Sequence, residues 1–158
     1  MRLFVIFFCL HIIHTGEVLS QSKVNWIELD NNTQINNNGK KMIIDLYTDW
    51  CGWCKVMDKN TFTDPKVAEY LNKNFYPVKF DAEQKEPITV KGKTYEWVNG
   101  GRRGVNTLAY ALLNGRLSYP SVVYLTENLE SIRVSPGYKT PEQILPELEY
   151  AAEEKYMN

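Results

Sequence analysis

Hydrophobic and polar positions along this chain alternate between a two-residue and a helical period, and the succession outlines a layered α/β protein. Val24 to Leu29 has the composition of a short strand. Met42 to Tyr47 (MIIDLY) is apolar on both faces with one acid inside, the pattern of a buried central strand. A helix is predicted from Cys51 to Asn60. Asp64-Pro65 then supplies an N-cap with proline at the first helical position, opening a helix to Lys73 whose apolar set is Val67, Ala68, Tyr70 and Leu71. Phe75 to Phe80 is the next strand. Ile88–Val90 and Thr94–Val98 flank Lys91-Gly92-Lys93 as a hairpin, Gly100 to Gly104 is a loop, and Asn106 caps a helix to about Asn114. Ser121–Leu125 and Glu130–Val134 are strands joined at Glu127-Asn128. Thr140-Pro141-Glu142-Gln143 is a capping box that opens a last helix to about Glu153. The Asn-rich stretch Asp30 to Lys40 reads as a loop or frayed helix, and its Asn31-Asn32-Thr33 sequon has meaning only in a eukaryotic secretory host.

The 158 residues suffice for a domain with its own core, and 18 Lys+Arg against 19 Asp+Glu leave a net charge of −1. That balance gives no bulk electrostatic basis for binding nucleic acid or an anionic membrane. Three cysteines are too few for a disulfide scaffold. The first twenty residues change the count. Arg2 precedes an apolar run from Leu3 to Ile13 broken only by His11, and Val18-Leu19-Ser20 ends in a small residue suited to cleavage. Residues 1–20 therefore read as a secretory signal peptide, with 21–158 as a single domain. A retained membrane anchor is the other reading, against which the shortness of the run counts. Cleavage removes Cys9, His11 and His14, leaving two cysteines and no histidine. A His-based triad, a Cys–His protease, a His-ligated metal and a Cys₄ zinc site are then all excluded, and no metal is expected.

Trp50-Cys51-Gly52-Trp53-Cys54-Lys55 follows the buried strand and opens a helix. Two intervening residues let the sulfurs close a small ring when the first turn is helical. Cys51 then sits at the helix N-terminus, where unpaired N–H groups and the dipole stabilise a thiolate and lower its pKa from ~8.5 to about 7. Cys54, one turn in, is expected to be the more shielded and suits the resolving role.

The stretch Ile43 to Lys55, IIDLYTDWCGWCK, resembles the active-site segment of the thioredoxin superfamily, of the exported bacterial, disulfide isomerase-like type with a CGWC site. The resemblance runs from about Trp26 to Glu149. It rests also on Asp45, on Tyr119-Pro120-Ser121, on Pro136-Gly137 and on FTDPKVAEYLNKNFYPVKFDAE, where the family has a kink after the active-site helix. It implies a thioredoxin fold: a mixed central sheet with helices on both faces, with an insertion before the cis-Pro strand. It implies a redox-active Cys51–Cys54 disulfide that needs no cofactor. Asp45 becomes a buried acid of raised pKa that exchanges a proton with Cys54, Lys79 the nearby lysine that shares in the relay, and Pro120 a cis residue presenting backbone to a substrate strand. By residue type alone Asp45 can also face solvent at a strand edge, Lys79 can be an ordinary surface lysine, and Pro120 a trans proline opening an edge strand.

Trp50, Gly52, Trp53, Tyr119 and Pro120 make up the expected substrate contacts. Tyr119 stands where the family has a small or β-branched residue. Trp53 replaces the proline of reducing thioredoxins or the histidine of oxidising isomerases, which argues against a strongly oxidising potential. Cys51 and Pro120 are separated by 68 residues, more than a minimal thioredoxin carries. The surplus is about Glu83 to Leu117, including a GGRRG loop whose Arg102 and Arg103 either bind an anionic group or partner or are merely solvated.

Two functions follow. One is a thiol–disulfide oxidoreductase acting on protein disulfides outside the cytoplasm, in the bacterial periplasm, as reductase or isomerase. Cys51 attacks, Cys54 resolves, and a membrane protein with its own dithiol donates electrons because the compartment is oxidising. The other is a non-catalytic thioredoxin-like binding or chaperone module with a structural Cys51–Cys54 disulfide and a peptide groove beside Pro120.

Overall fold

A computed structural model describes residues 23–29, 38–100 and 102–157. The expected signal peptide, Cys9, both histidines and most of the Asn-rich stretch lie outside the described residues. Chain order gives strands β1 (Ile27–Glu28) and β2 (Lys41–Tyr47), helices α1 (Gly52–Asn60) and α2 (Pro65–Asn74), then β3 (Phe75–Asp81). Short strands β4 (Ile88–Val90), β5 (Lys93–Tyr95), β6 (Trp97–Val98) and β7 (Val105–Asn106) lead to α3 (Thr107–Leu112), β8 (Ser121–Leu125), β9 (Ser131–Pro136) and α4 (Pro141–Ala152). No helix among the described residues is long and apolar enough to cross a membrane.

The main sheet has the order β1-β3-β2-β8-β9, with β1, β3 and β2 parallel and β8 and β9 each antiparallel to the strand before it in that order. This is the mixed sheet and the fold expected. β2 occupies the centre, which is why MIIDLY is apolar on both faces. On one face Ile43, Val122 and Tyr124 pack with Met57 of α1, Val67, Ala68 and Leu71 of α2 and Ile144 and Leu148 of α4. On the other, Met42, Ile44 and Leu46 pack with Leu108 and Ala109 of α3 and with Ile88 and Val105. The surplus segment is therefore part of the cover over that second face, where α3 alone is too short to bury the sheet.

Local chemistry sets the element ends. Asp64 accepts from the N–H groups of Lys66 and Val67 and caps α2, and Asn106 accepts from Leu108 N–H and caps α3. At α4 the Thr140 N–H donates to Gln143 Oε1 at 3.0 Å. Glu147 of α4 accepts from Tyr124 Oη at 3.1 Å and Ser135 Oγ at 3.0 Å, tying the helix to the sheet. Lys41, buried at the start of β2, meets Glu127 and Glu154 at 3.0 Å each.

Two expectations need correction. Among the described residues the first strand shortens to two, Ile27 and Glu28, paired with Val78 and Lys79 of β3. The hairpin turn is the two residues Lys91-Gly92, both at positive φ (50° and 75°), as the twist of a two-residue hairpin requires. Its second strand breaks at Glu96, after which Trp97 and Val98 pair with Asn106 and Val105. The two helices expected after the central strand are separate as read from the chain, with α1 ending at Asn60 and α2 opening at Pro65.

The loop closing β6 onto β7 depends on Gly104. A Cβ there would lie 1.9 Å from the Trp97 ring, so only glycine lets the backbone lie against the indole. Gly104→Ala should lower stability by about 1–3 kcal/mol through overpacking, read from the urea midpoint at constant slope. Gly100→Ala in the same loop, where the nearest atom to an added Cβ is 3.5 Å away, should change it by less than ~0.5 kcal/mol.

Candidate active site

β2 ends at Tyr47, and the chain turns at once into α1, with Cys51 N–H donating to Thr48 O at 3.1 Å. Cys51 is the N-cap of α1, and Cys54 N–H donates to its Sγ at 3.1 Å. The two cysteines form a disulfide with S–S 2.05 Å and Cα–Cα 5.3 Å. Cys54 was expected to be the more shielded, yet each cysteine is 4% exposed. What separates them is the helix cap: only the Cys51 sulfur receives a helix N–H, and that donor would stabilise a thiolate there on reduction.

Asp45 lies in the middle of β2, opposite Lys79 on β3 and Val122 on β8. It is 2% exposed, so the solvent-facing edge position is excluded. Lys79 Nζ stands 3.3 Å from Asp45 and 2.5 Å from Asp58 of α1, and also lies over the Trp26 and Tyr47 rings at 5.5 and 5.1 Å. Burial pushes the Asp45 carboxyl up to about 6, opposed by Lys79 and assisted by Asp58 and Glu28. Burial alone would lower the Lys79 ammonium, but two carboxylates together hold it above its ordinary value. The pair is thus unequal. Lys79 gains from both acids, whereas Asp45 shares its cation with a second anion that also repels it.

Trp50 is half exposed and fastened from three sides. Its Nε1 donates to Glu83 at 2.8 Å, its ring meets Tyr119 edge-on at 6.2 Å, and the Arg103 guanidinium stacks over it at 4.7 Å. Trp53 is exposed and packs beside Tyr138 at 5.5 Å. The Tyr119–Pro120 peptide is cis, and Pro120 O accepts from Gly137 N–H at 2.8 Å. Trp53, Tyr119, Pro120, Gly137 and Tyr138 line a shallow cleft of about 250 Å³. Gly52 is exposed, and an added Cβ would meet nothing within 4 Å, so the fold itself does not demand glycine there.

Sequence reasoning missed Asp58, Glu83 and Tyr138, and it singled out Arg103 without its place over Trp50. Asp58 was legible in part, because it lies four residues after Cys54 on α1 and so on the same helical face. Arg103 reaches Trp50 through tertiary structure alone. Among the described residues no group of three or more His, Cys, Asp or Glu side chains is arranged to hold a metal ion.

A parallel βαβ unit, an antiparallel hairpin and a CxxC disulfide capping the first helix define a thioredoxin-fold protein of the oxidoreductase class. A family model described as "Thioredox_DsbH: Protein of unknown function, DUF255" matches residues 17–143, and the chain belongs to that family. Thiol:disulfide interchange protein DsbD of Escherichia coli (strain K12) is 34% identical over 61 residues, 39% of this chain and 11% of the relative. DsbD of Shigella boydii serotype 4 matches with the same identity and coverage. The chain thus spans about a tenth of the length of these curated relatives. Among solved structures, a thioredoxin-fold protein from Helicobacter pylori superposes with a TM-score of 0.59 at 21% identity, covering 82% of this chain and 80% of that one. A DsbH oxidoreductase superposes with a TM-score of 0.51 at 13% identity, covering 73% and 74%. At these identities the structural likeness concerns the fold.

The Asp45 environment predicts a pH signature in the oxidised protein, where the cysteines do not titrate. A carboxyl held at about 6 binds its proton more tightly folded than unfolded. Its contribution is therefore intact below about pH 4 and is lost as pH rises through about 6, by roughly 3 kcal/mol at most. Asp45→Asn should flatten the fall in stability between pH 4 and 7, measured by chemical denaturation. Asp58→Asn should shift that fall to lower pH, because it removes a repelling anion and leaves Lys79 to Asp45.

Proposed function

We propose that this protein is a thiol–disulfide oxidoreductase that works on protein disulfides outside the cytoplasm, as a reductase or isomerase. The observation that carries the reading is the Cys51 sulfur at the α1 N-cap with the Cys54 N–H 3.1 Å away. In the reduced protein the Cys51 thiolate attacks one sulfur of a substrate disulfide, forming a mixed disulfide and expelling the other as a thiolate. Cys54 gives its proton to the Asp45 carboxylate and attacks Cys51 Sγ, releasing the second substrate thiolate. The substrate gains two electrons, and Cys51–Cys54 closes as the disulfide. An external dithiol then returns the protein to its reduced form.

Asp45, at about 6, is suited to proton exchange near neutral pH, and Lys79 holds it in place. Trp50, Gly52, Trp53, Tyr119 and Pro120 border the approach to the sulfurs, and the open space at Gly52 favours close passage of a substrate chain. Export to the bacterial periplasm rests on residues 1–20, and a membrane dithiol donor follows from the oxidising character of that compartment. The near-complete burial of both cysteines favours the second reading, a binding module with a structural disulfide.

Insulin reduction by dithiothreitol separates the two. The wild-type protein should accelerate turbidity, Cys51→Ser should abolish the acceleration, and Cys54→Ser should accumulate a mixed disulfide. Equal rates for wild type and Cys51→Ser would falsify the oxidoreductase reading. Asp45→Asn should slow the resolving step about 10²-fold or more near pH 7 while leaving mixed-disulfide formation unchanged. A Cys51–Cys54 potential near about −270 mV marks a reductase, and one near about −120 mV an oxidant.

A further inference from the structure

Trp50 also lines a second and larger groove of about 680 Å³, within the roughly 300–1,000 Å³ of ligand-binding clefts. Six large hydrophobic residues are exposed among those described, and four of them line it: Trp50, Val98, Tyr110 and Leu117. Scattered exposed apolar residues are ordinary, but a cluster in one concavity marks a binding surface. Tyr119 lines both this groove and the cleft beside Pro120, so the two surfaces are continuous across the active-site end.

The rim carries a directional charge. Glu83 is engaged by the Trp50 indole N–H, whereas Arg103 stacks on the ring face and makes no ion pair among the described residues. Stacking fixes the plane of the guanidinium and leaves its N–H fork free for a carboxylate. The Gly104–Trp97 contact holds the loop that presents it.

We propose that this groove receives the residues flanking the cysteine of a protein substrate, with apolar side chains along Tyr110 and Leu117 and a carboxylate at Arg103. The reactive cysteine belongs to the oxidoreductase reading above, while the flanking contacts rest on the groove itself. The surplus segment is then a substrate selector, and the preferred targets carry an apolar stretch with an adjacent acid next to their disulfide.

The test uses synthetic peptides with serine in place of the reactive cysteine, so that binding is read by calorimetry without chemistry. One has leucine and phenylalanine flanks with a glutamate on either side in turn, and the other has glycine and serine flanks. Wild type should bind the apolar acidic peptide at least tenfold more tightly. Tyr110→Ser and Leu117→Ser should each lose about tenfold, as for central interface residues. Wild type should also bind the apolar peptide more tightly with glutamate than with glutamine at that position, and Arg103→Gln should abolish this preference. Neither Tyr110→Ser nor Leu117→Ser should alter reduction of hydroxyethyl disulfide, a substrate too small to span the groove. Absence of a peptide preference, with that small disulfide still reduced, overturns the selector alone. Loss of small-disulfide reduction in wild type with the peptide preference intact overturns the oxidoreductase reading and leaves the groove assignment standing. A wild-type dimer that Tyr110→Ser and Leu117→Ser dissociate would give the groove to a second copy and end the proposal.

Discussion

β2 is hydrogen-bonded along both edges, to β3 in parallel and to β8 in antiparallel, and covered on both faces, so any polar side chain on it must be answered by a neighbour. Asp45 is the one carboxylate in that strand. Its answer comes from Lys79 directly opposite on β3, and Lys79 in turn reaches Asp58 on α1. Strand register thus decides which cation meets the buried acid. The same register delivers the strand end at Thr48, from which the backbone turns to make Cys51 the helix cap. The buried ion pair and the disulfide-bearing turn thus rest on one set of strand contacts, and moving β2 by one residue would send Asp45 to the opposite face.

The acid–lysine–acid arrangement also shows why an ion pair need not lower a carboxyl's pKa. A single buried pair favours both charged forms if attraction exceeds desolvation. Here the partly exposed Asp58 takes the shorter contact, 2.5 against 3.3 Å, and Asp45 keeps the weaker share. The outcome is a carboxyl near neutrality inside an apolar layer, with its cation sandwiched between Trp26 and Tyr47.

Features written in local chemistry were legible in the chain. Asp64 before Pro65, Asn106 before Thr107 and Thr140 before Pro141 each stand at the start of a helix, because capping depends on residues two or three apart. MIIDLY declared a central strand, and WCGWCK declared the cysteine pair at the start of α1. Features made by tertiary contact were not legible. Nothing in GGRRG says that one arginine lies over Trp50, since β6, β7 and the Gly104–Trp97 contact must first fold the loop back. The break of the second hairpin strand at Glu96 had the same origin, because Trp97 and Val98 find a better partner in β7 than in β4.

The Lys41 clamp and the Asn72 contacts give the molecule two poles. Lys41 holds Glu154, beyond the end of α4, at the start of β2. Asn72 pairs with Lys23 O and Asn25 N–H at 2.8 Å each, near the start of β3, which lies beside the start of β2. The disulfide sits past the other end of β2, about 20 Å away at the usual rise of a strand. A tether, fusion partner or surface attachment at either flank of the described chain therefore leaves from the pole opposite the sulfurs. An attachment made at Lys23 or Met157 would thus be separated from the Cys51–Cys54 disulfide by the length of the central strand.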